Sequence, residues 1–168
     1  MGTIAAFRTE TTPNPIDMVE ELVSANEWPH HRQGDDELAI EVTGQWCDYR
    51  IYFGWCDELS VMQFSAAFDM KVPKNRRGAV HELLSIVNER LWIGHFDASD
   101  EDGMVLFRHA ILLRGARGGP SAEQVEDLID IALVECERFY PAFQFVLWGG
   151  KNPQEAIEAS MLETVGEA

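Results

Sequence analysis

Hydrophobic residues recur at helical spacing in four segments of the chain, and three of these begin with a capping pattern. The motifs NPID (residues 14–17) and NPQE (152–155) offer an Asn cap, a proline at the first helical position and an acid near the positive end of the helix dipole. SAEQ (121–124) is a capping-box pattern. A further helix is predicted to begin near residues 73–75, and Pro141 is expected to kink or end the helix that follows SAEQ.

Between the helices the hydrophobic positions alternate with a period of two, which is typical of strands with one buried face. Leu38, Ile40 and Val42 are the clearest example. The alternation predicts five strands, at residues 38–43, 46–54, 59–69, 91–96 and 104–113. Short links between adjacent strands predict an antiparallel sheet packed with helices, which is the α+β class, in the order α-βββ-α-ββ-α-α. We expect a flexible arm at residues 1–13 and a single domain at residues 14–168.

Charge narrows the possible partners. The 13 Lys and Arg residues against 29 Asp and Glu residues give a formal net charge of −16. This charge disfavours nucleic acid and anionic membrane surfaces and is compatible with a basic protein partner. The chain has no apolar run long enough for a signal peptide or a membrane span, and its three cysteines form no CxxC pair. We therefore expect a cytoplasmic protein with reduced thiols.

The triplet Trp-Cys-Asp occurs twice, at residues 46–48 and 55–57, and raises the possibility of a metal or redox site. Cysteine pairs that bind metal on a turn are separated by two to four residues, whereas eight residues separate Cys47 from Cys56. No further soft ligands stand nearby. Structural thiols are the favoured interpretation, because a free cysteine commonly behaves as a small hydrophobic residue.

His95, Asp97 and His109 form the sharpest chemical candidate. If the hairpin between the last two strands folds about residue 102, His109 lies opposite His95, with Asp97 on the same face. Two histidines and a carboxylate are the composition of the facial triad that binds non-haem iron. That triad takes its second histidine from a distant strand, whereas here it follows 14 residues later. A hydrogen-bonded pair in the hairpin is therefore preferred, and a metal site stays as an alternative.

No catalytic set emerges from the remaining residues. The glycine-rich segment 115–119 lacks the Gly-Lys-Ser/Thr ending of a phosphate-binding loop, and it is read as a flexible connector. We therefore predict no enzyme activity and no cofactor. Tryptophans near the ends of predicted elements are candidates for partner binding, because tryptophan is enriched at protein interfaces. These candidates are Trp28, Trp46, Trp55 and Trp148.

Three long motifs resemble the bacterial YbjN family, in particular its alphaproteobacterial branch. They are GQWCDYRIYFGWCDE (44–58), NERLWIGHFDASDEDGMVLFRHAILLRG (88–115) and CERFYPAFQFVLWGGKNPQEAIEASMLETVGEA (136–168). The resemblance runs from about residue 14 to residue 168. It implies a fold like that of type III secretion chaperones and a role in regulating sensory transduction, and it assigns no catalytic residue. Such chaperones are small, acidic, often dimeric, and bind extended segments of other proteins.

The leading hypothesis is a non-enzymatic, cytoplasmic regulatory or chaperone-like protein that binds another polypeptide, as a homodimer. One alternative is a small-ligand sensor that uses the concave face of the sheet, with Trp46 or Trp55 in its lining. The other is the metal site at His95, Asp97 and His109.

Overall fold

Six strands and four α-helices make up the fold in a computed structural model, which describes residues 12–166. In chain order the elements are α1 (Ile16–Ala25), β1 (His30–Gln33), β2 (Glu37–Thr43), β3 (Asp48–Cys56), β4 (Val61–Lys71), α2 (Arg77–Asn88), β5 (His95–Ala98), β6 (Met104–Leu112), α3 (Ala122–Leu147) and α4 (Pro153–Gly166), with a 3-10 turn at Lys74–Arg76 before α2. Residues 1–11 of the predicted arm lie outside the described range, whereas the Thr12 hydroxyl donates to the Leu113 carbonyl at 3.3 Å. No helix in the described part of the chain is both long and apolar enough to span a membrane.

The helix starts predicted from capping patterns are confirmed for α3 and α4, and to within one residue for α1, which begins at Ile16 and not at Pro15. The side-chain oxygen of Asn14 accepts a hydrogen bond from the backbone N–H of Ile16 at 2.9 Å. Asn152 does the same for Glu155, also at 2.9 Å. Ser121 forms a complete capping box at the start of α3. These bonds satisfy backbone donors that have no partner within the helix.

Pro141 was expected to kink or end its helix. It does not end the helix, because α3 continues for six more residues to Leu147. Proline cannot donate to the carbonyl four residues earlier, so one helical hydrogen bond is missing. Tertiary packing outweighs this loss. Pro141 is buried, and its neighbours Tyr140 and Phe143 are 3% and 0% exposed in the core.

The sheet has six strands, not the predicted five, in the antiparallel order β1-β2-β3-β4-β6-β5. The missing strand is β1, whose sequence HHRQ contains no apolar residue and is largely exposed. Its hydrophobic pattern therefore carried no strand signal. The strand predicted at residues 91–96 also differs in its bounds, since β5 begins at His95 and residues 91–94 form a loop. In that loop Gly94 has a φ of +70° and packs against the Phe107 ring, where a side chain would collide.

The helices pack on one face of this sheet. Along β3, Tyr49, Ile51, Phe53 and Trp55 are buried and alternate with more exposed residues. Phe68 of β4 contacts the rings of Tyr140 and Phe143 in α3. Across the strands, directly paired core residues form a continuous buried row: Ile40, Ile51, Ala66, Phe107 and Phe96. The core therefore lies between this face and the helices, and the opposite face is left to solvent.

Candidate functional site

The register that would place His109 opposite His95 does not occur. His95 pairs with Arg108, and His109 pairs with Phe64 of β4. The hairpin folds between Glu101 and Asp102 instead of about residue 102, which shifts the register by one residue. Such a shift moves a side chain to the other face of the sheet.

The observed register determines which groups lie near Asp97, His95 and His109. The Arg108 guanidinium contacts the Asp97 carboxylate at 3.3 Å. Burial lowers the pKa of His109, and the nearby His95 lowers it further. Among residues 12–166 no group of three or more His, Cys, Asp or Glu side chains is placed to hold a metal ion.

The four candidate tryptophans lie in different environments. Trp55 is 8% exposed and packs in the core instead of lining the open side of the sheet. Trp46 is half-buried and stacks on Tyr140, with ring centroids 6.3 Å apart. Trp28 is also half-buried, and only Trp148, which follows α3, is strongly exposed at 64%. The four tryptophans lie on different parts of the fold and do not form one surface.

Cys136 is buried, and Cys47 is half-buried. Burial raises the pKa of the Cys47 thiol to about 12, with a further contribution from the Asp69 carboxylate. Cys136 lies inside α3 at 0% exposure, and burial raises its pKa as well. Cys56, in contrast, ends β3 on the side of the sheet away from the core, where it pairs with Val61. The surroundings of the first two cysteines favour the protonated, unreactive thiol.

We expect iodoacetamide at pH 8 to alkylate Cys47 and Cys136 in the native protein at least about tenfold more slowly than in the unfolded protein, because the thiolate is the reacting species. Quantitative mass spectrometry of the three cysteine peptides measures this, with Cys56 as the internal comparison. Equal labelling rates of Cys47 in native and unfolded protein would contradict the assignment of a half-buried thiol with a raised pKa.

The sheet face turned away from the helices, called the open face below, carries one continuous row of paired residues. The row crosses all six strands: His31, Ala39, Tyr52, Ser65, Arg108 and His95. Large side chains alternate with small ones along most of it. Ala39 lies between His31 and Tyr52, and Ser65 lies between Tyr52 and Arg108.

These small residues form the floor of a groove of about 540 Å³, to which every strand of the sheet contributes. Gly54, Gln63 and Ala110 extend it along the neighbouring row. A volume of this size lies in the range of small-molecule sites. The missed strand β1 supplies His31 and Gln33 to the lining, so the groove could not be assembled from the predicted five strands.

The two edges of the sheet differ in their free hydrogen-bonding groups. At β5, the backbone N–H and C=O of Phe96 point away from β6. The Asn88 side chain, at the end of α2, accepts from the Phe96 N–H at 2.7 Å and donates to its carbonyl at 3.0 Å. The next outward N–H, that of Ala98, donates to the Asp97 carboxylate at 2.9 Å. This edge is closed to another strand.

The edge at β1 is open. The Glu41 N–H donates to the Pro29 carbonyl at 3.1 Å. Since bonded pairs alternate along an antiparallel ladder, His31 and Gln33 bond to β2, while the N–H and C=O groups of His30 and Arg32 point outward. Within residues 12–166 these four outward groups have no backbone partner. An unpaired edge of this kind is a template for a further strand.

Comparisons with known proteins find a matching family model and a solved structure of similar fold. The family model named YbjN, described as "Putative bacterial sensory transduction regulator", matches residues 15–145. Among solved structures the chain is similar to "Crystal structure of YbjN, a putative transcription regulator from E. coli", at 12% sequence identity with a TM-score of 0.50, covering 88% of this chain and 93% of that chain. At this identity the similarity shows a common fold. No curated protein gives a significant sequence match.

Proposed function

Because the chain belongs to the YbjN family of bacterial regulators, we propose that it is a non-enzymatic regulatory protein that acts by binding another polypeptide. The proposal includes a cytoplasmic location and the assignment of the fold to the type III secretion chaperone-like class. The observation that carries it is the contrast between the two sheet edges, one closed by Asn88 and the other open at β1.

An extended segment of a partner would add to β1 as a seventh strand. Its backbone would pair with the outward groups of His30 and Arg32, which gives up to four main-chain hydrogen bonds. Main-chain pairing supplies affinity, and the side chains that alternate along the added strand supply specificity. This mode of binding needs no catalytic residue and no cofactor.

The charges around β1 favour a basic segment. The Arg32 guanidinium is already held by Asp17 at 2.7 Å and by Glu20 at 2.6 Å. The segment that follows β1 then adds carboxylates at residues 35, 36 and 37, so the edge carries excess negative charge. Lys or Arg side chains on the incoming strand would complement it. Two copies of β1 would bring like charges together, so the homodimer, which stays a prediction, would use another surface.

Replacing His30 with proline is expected to remove partner binding. Proline deletes the outward N–H of residue 30 and obstructs strand addition, but it leaves the bonds from β1 to β2 in place. His30→Ala keeps the N–H and is the matched control. Tagged wild-type, His30→Pro and His30→Ala proteins are used as bait in a lysate, and the captured proteins are quantified by mass spectrometry.

We expect proteins enriched on wild type and His30→Ala to fall at least about tenfold on His30→Pro, the equivalent of roughly 1.4 kcal/mol of binding free energy. Circular dichroism of all three baits checks that the fold is retained. If His30→Pro captures the same proteins at the same level, or if wild type enriches none, binding by strand addition at β1 is refuted.

A further inference from the structure

The groove on the open face has a binding geometry of its own, separate from the β1 edge. Ser65 is paired directly with Tyr52 on one side and with Arg108 on the other. Neighbouring strands lie about 4.8 Å apart, so Tyr52 and Arg108 are separated by about 10 Å across a small side chain. A compact molecule that lies over Ser65 would therefore contact both.

The two flanking side chains are of different chemical kinds. The Tyr52 side chain is 42% exposed and offers an aromatic surface. Arg108 is also exposed, and within residues 12–166 its contact with Asp97, at 3.3 Å, occupies one of its guanidinium nitrogens. An arginine has five N–H donors in a fixed fork, so donors remain for a ligand.

The charges in the groove are unusual for so acidic a chain. Among the described residues, the lining contains one carboxylate, Glu37, one arginine, Arg108, and the histidines His31, His95 and His109. Glu37 is paired with Gly54, so β3 and β4 lie between it and Arg108. His95 is the direct neighbour of Arg108. The Arg108 end of the groove therefore holds its one arginine, whose charge is shared with the Asp97 carboxylate, and Ser65 and Gln63 add neutral donors beside it.

We propose that this groove binds a small aromatic anion, a planar ring carrying a carboxylate or a phosphate, with the ring against Tyr52 and the anionic group on Arg108 above Ser65. The site goes beyond the proposed polypeptide binding and involves no reaction. It adds a ligand that the protein would sense.

The test measures binding by chemical-shift changes in heteronuclear NMR spectra of the whole protein. Benzoate and phenyl phosphate are the two probes, benzyl alcohol is the uncharged analogue, and inorganic phosphate lacks the ring. We expect one or both aromatic anions to shift the amide signals around Ser65 and Arg108, with a Kd at least about tenfold lower than that of benzyl alcohol or phosphate. The preferred anion distinguishes carboxylate from phosphate chemistry. Equal affinity for benzyl alcohol would overturn anion recognition, and equal affinity for phosphate would overturn the role of the ring.

Two substitutions with opposite expected effects sharpen the test. Arg108→Gln should raise the Kd for the aromatic anion at least about tenfold, whereas Arg114→Gln, an exposed arginine outside the groove, should change it less than about twofold. Asp97→Asn removes the carboxylate that competes for Arg108 and should lower the Kd by about two- to fivefold. Binding unchanged by both Arg108→Gln and Asp97→Asn, in variants whose spectra show the native fold, would rule the site out.

Discussion

Replacing Phe68 with alanine is expected to lower the free energy of unfolding by about 3–5 kcal/mol, which would leave a domain of this size marginally folded or unfolded. Phe68 is 2% exposed, and its ring contacts four others. The centroid distances are 5.8 Å to Tyr49, 5.8 Å to Phe96, 5.3 Å to Tyr140 and 5.5 Å to Phe143. The ring thus joins three strands to α3, and its removal leaves a cavity that rigid neighbours cannot fill. Urea unfolding followed by circular dichroism measures the change.

Tyr52→Ala is the matched control for Phe68→Ala, because it removes an aromatic ring from a neighbouring strand on the open face. At 42% exposure, the Tyr52 ring leaves no buried cavity when removed, so we expect a loss of about 1 kcal/mol or less. A similar loss in the two variants would show that the helices do not cover one face only, which is the basis of the proposed groove on the open face.

The sequence predicted strands and helices well wherever burial of one face imposes a repeating pattern of hydrophobic residues. Leu38, Ile40 and Val42 alternate with smaller or polar residues because one face of β2 meets the core, and the caps at Asn14 and Ser121 mark helix starts by local chemistry. β1 has no such pattern because Arg32, which lies on its core side opposite Leu38, is charged and pairs with carboxylates of α1. A signal was nevertheless present, since GDD at residues 34–36 is a turn between HHRQ and the alternating segment.

The candidate site was harder to predict than the fold, because it depends on register. Alternation assigns Tyr52, Ser65 and Arg108 to the exposed side of their own strands, yet only the pairing of β3, β4 and β6 brings them into one row. The hairpin between β5 and β6 shows how strongly the site depends on strand register. A turn centred half a residue earlier than expected separates His95 from His109 and places Arg108 beside it instead.

The two proposed sites share a strand. His31 and Gln33 line the groove, while the backbone of their neighbours His30 and Arg32 forms the open edge. A ligand in the groove would therefore touch the same four-residue strand to which we propose that the partner adds. If the ligand and the partner favour different positions of β1, binding of one changes the affinity of the protein for the other. Coupling of this kind would give the proposed regulatory role a physical basis within one short strand.

Replacing Asn88 with alanine is expected to have two consequences at the opposite edge. It removes both hydrogen bonds to the Phe96 backbone, at 2.7 and 3.0 Å, and leaves a part-buried donor and acceptor unsatisfied. We expect the free energy of unfolding to fall by about 2 kcal/mol. The substitution also exposes an unpaired strand edge, so the variant should self-associate more strongly than wild type. Urea unfolding and light scattering over a range of protein concentrations measure the two effects.

Asn26→Ala is the matched control for Asn88→Ala. Asn26 also lies at the end of a helix, and its side chain donates to the Leu22 carbonyl at 2.9 Å, but this bond is exposed and lies within the same turn. Its loss should cost about 0.5 kcal/mol and leave the molecular mass in solution unchanged. If Asn88→Ala is no less stable than Asn26→Ala and has the same mass, then Asn88 does not close the β5 edge, and the contrast between the edges that singles out β1 for partner binding no longer holds.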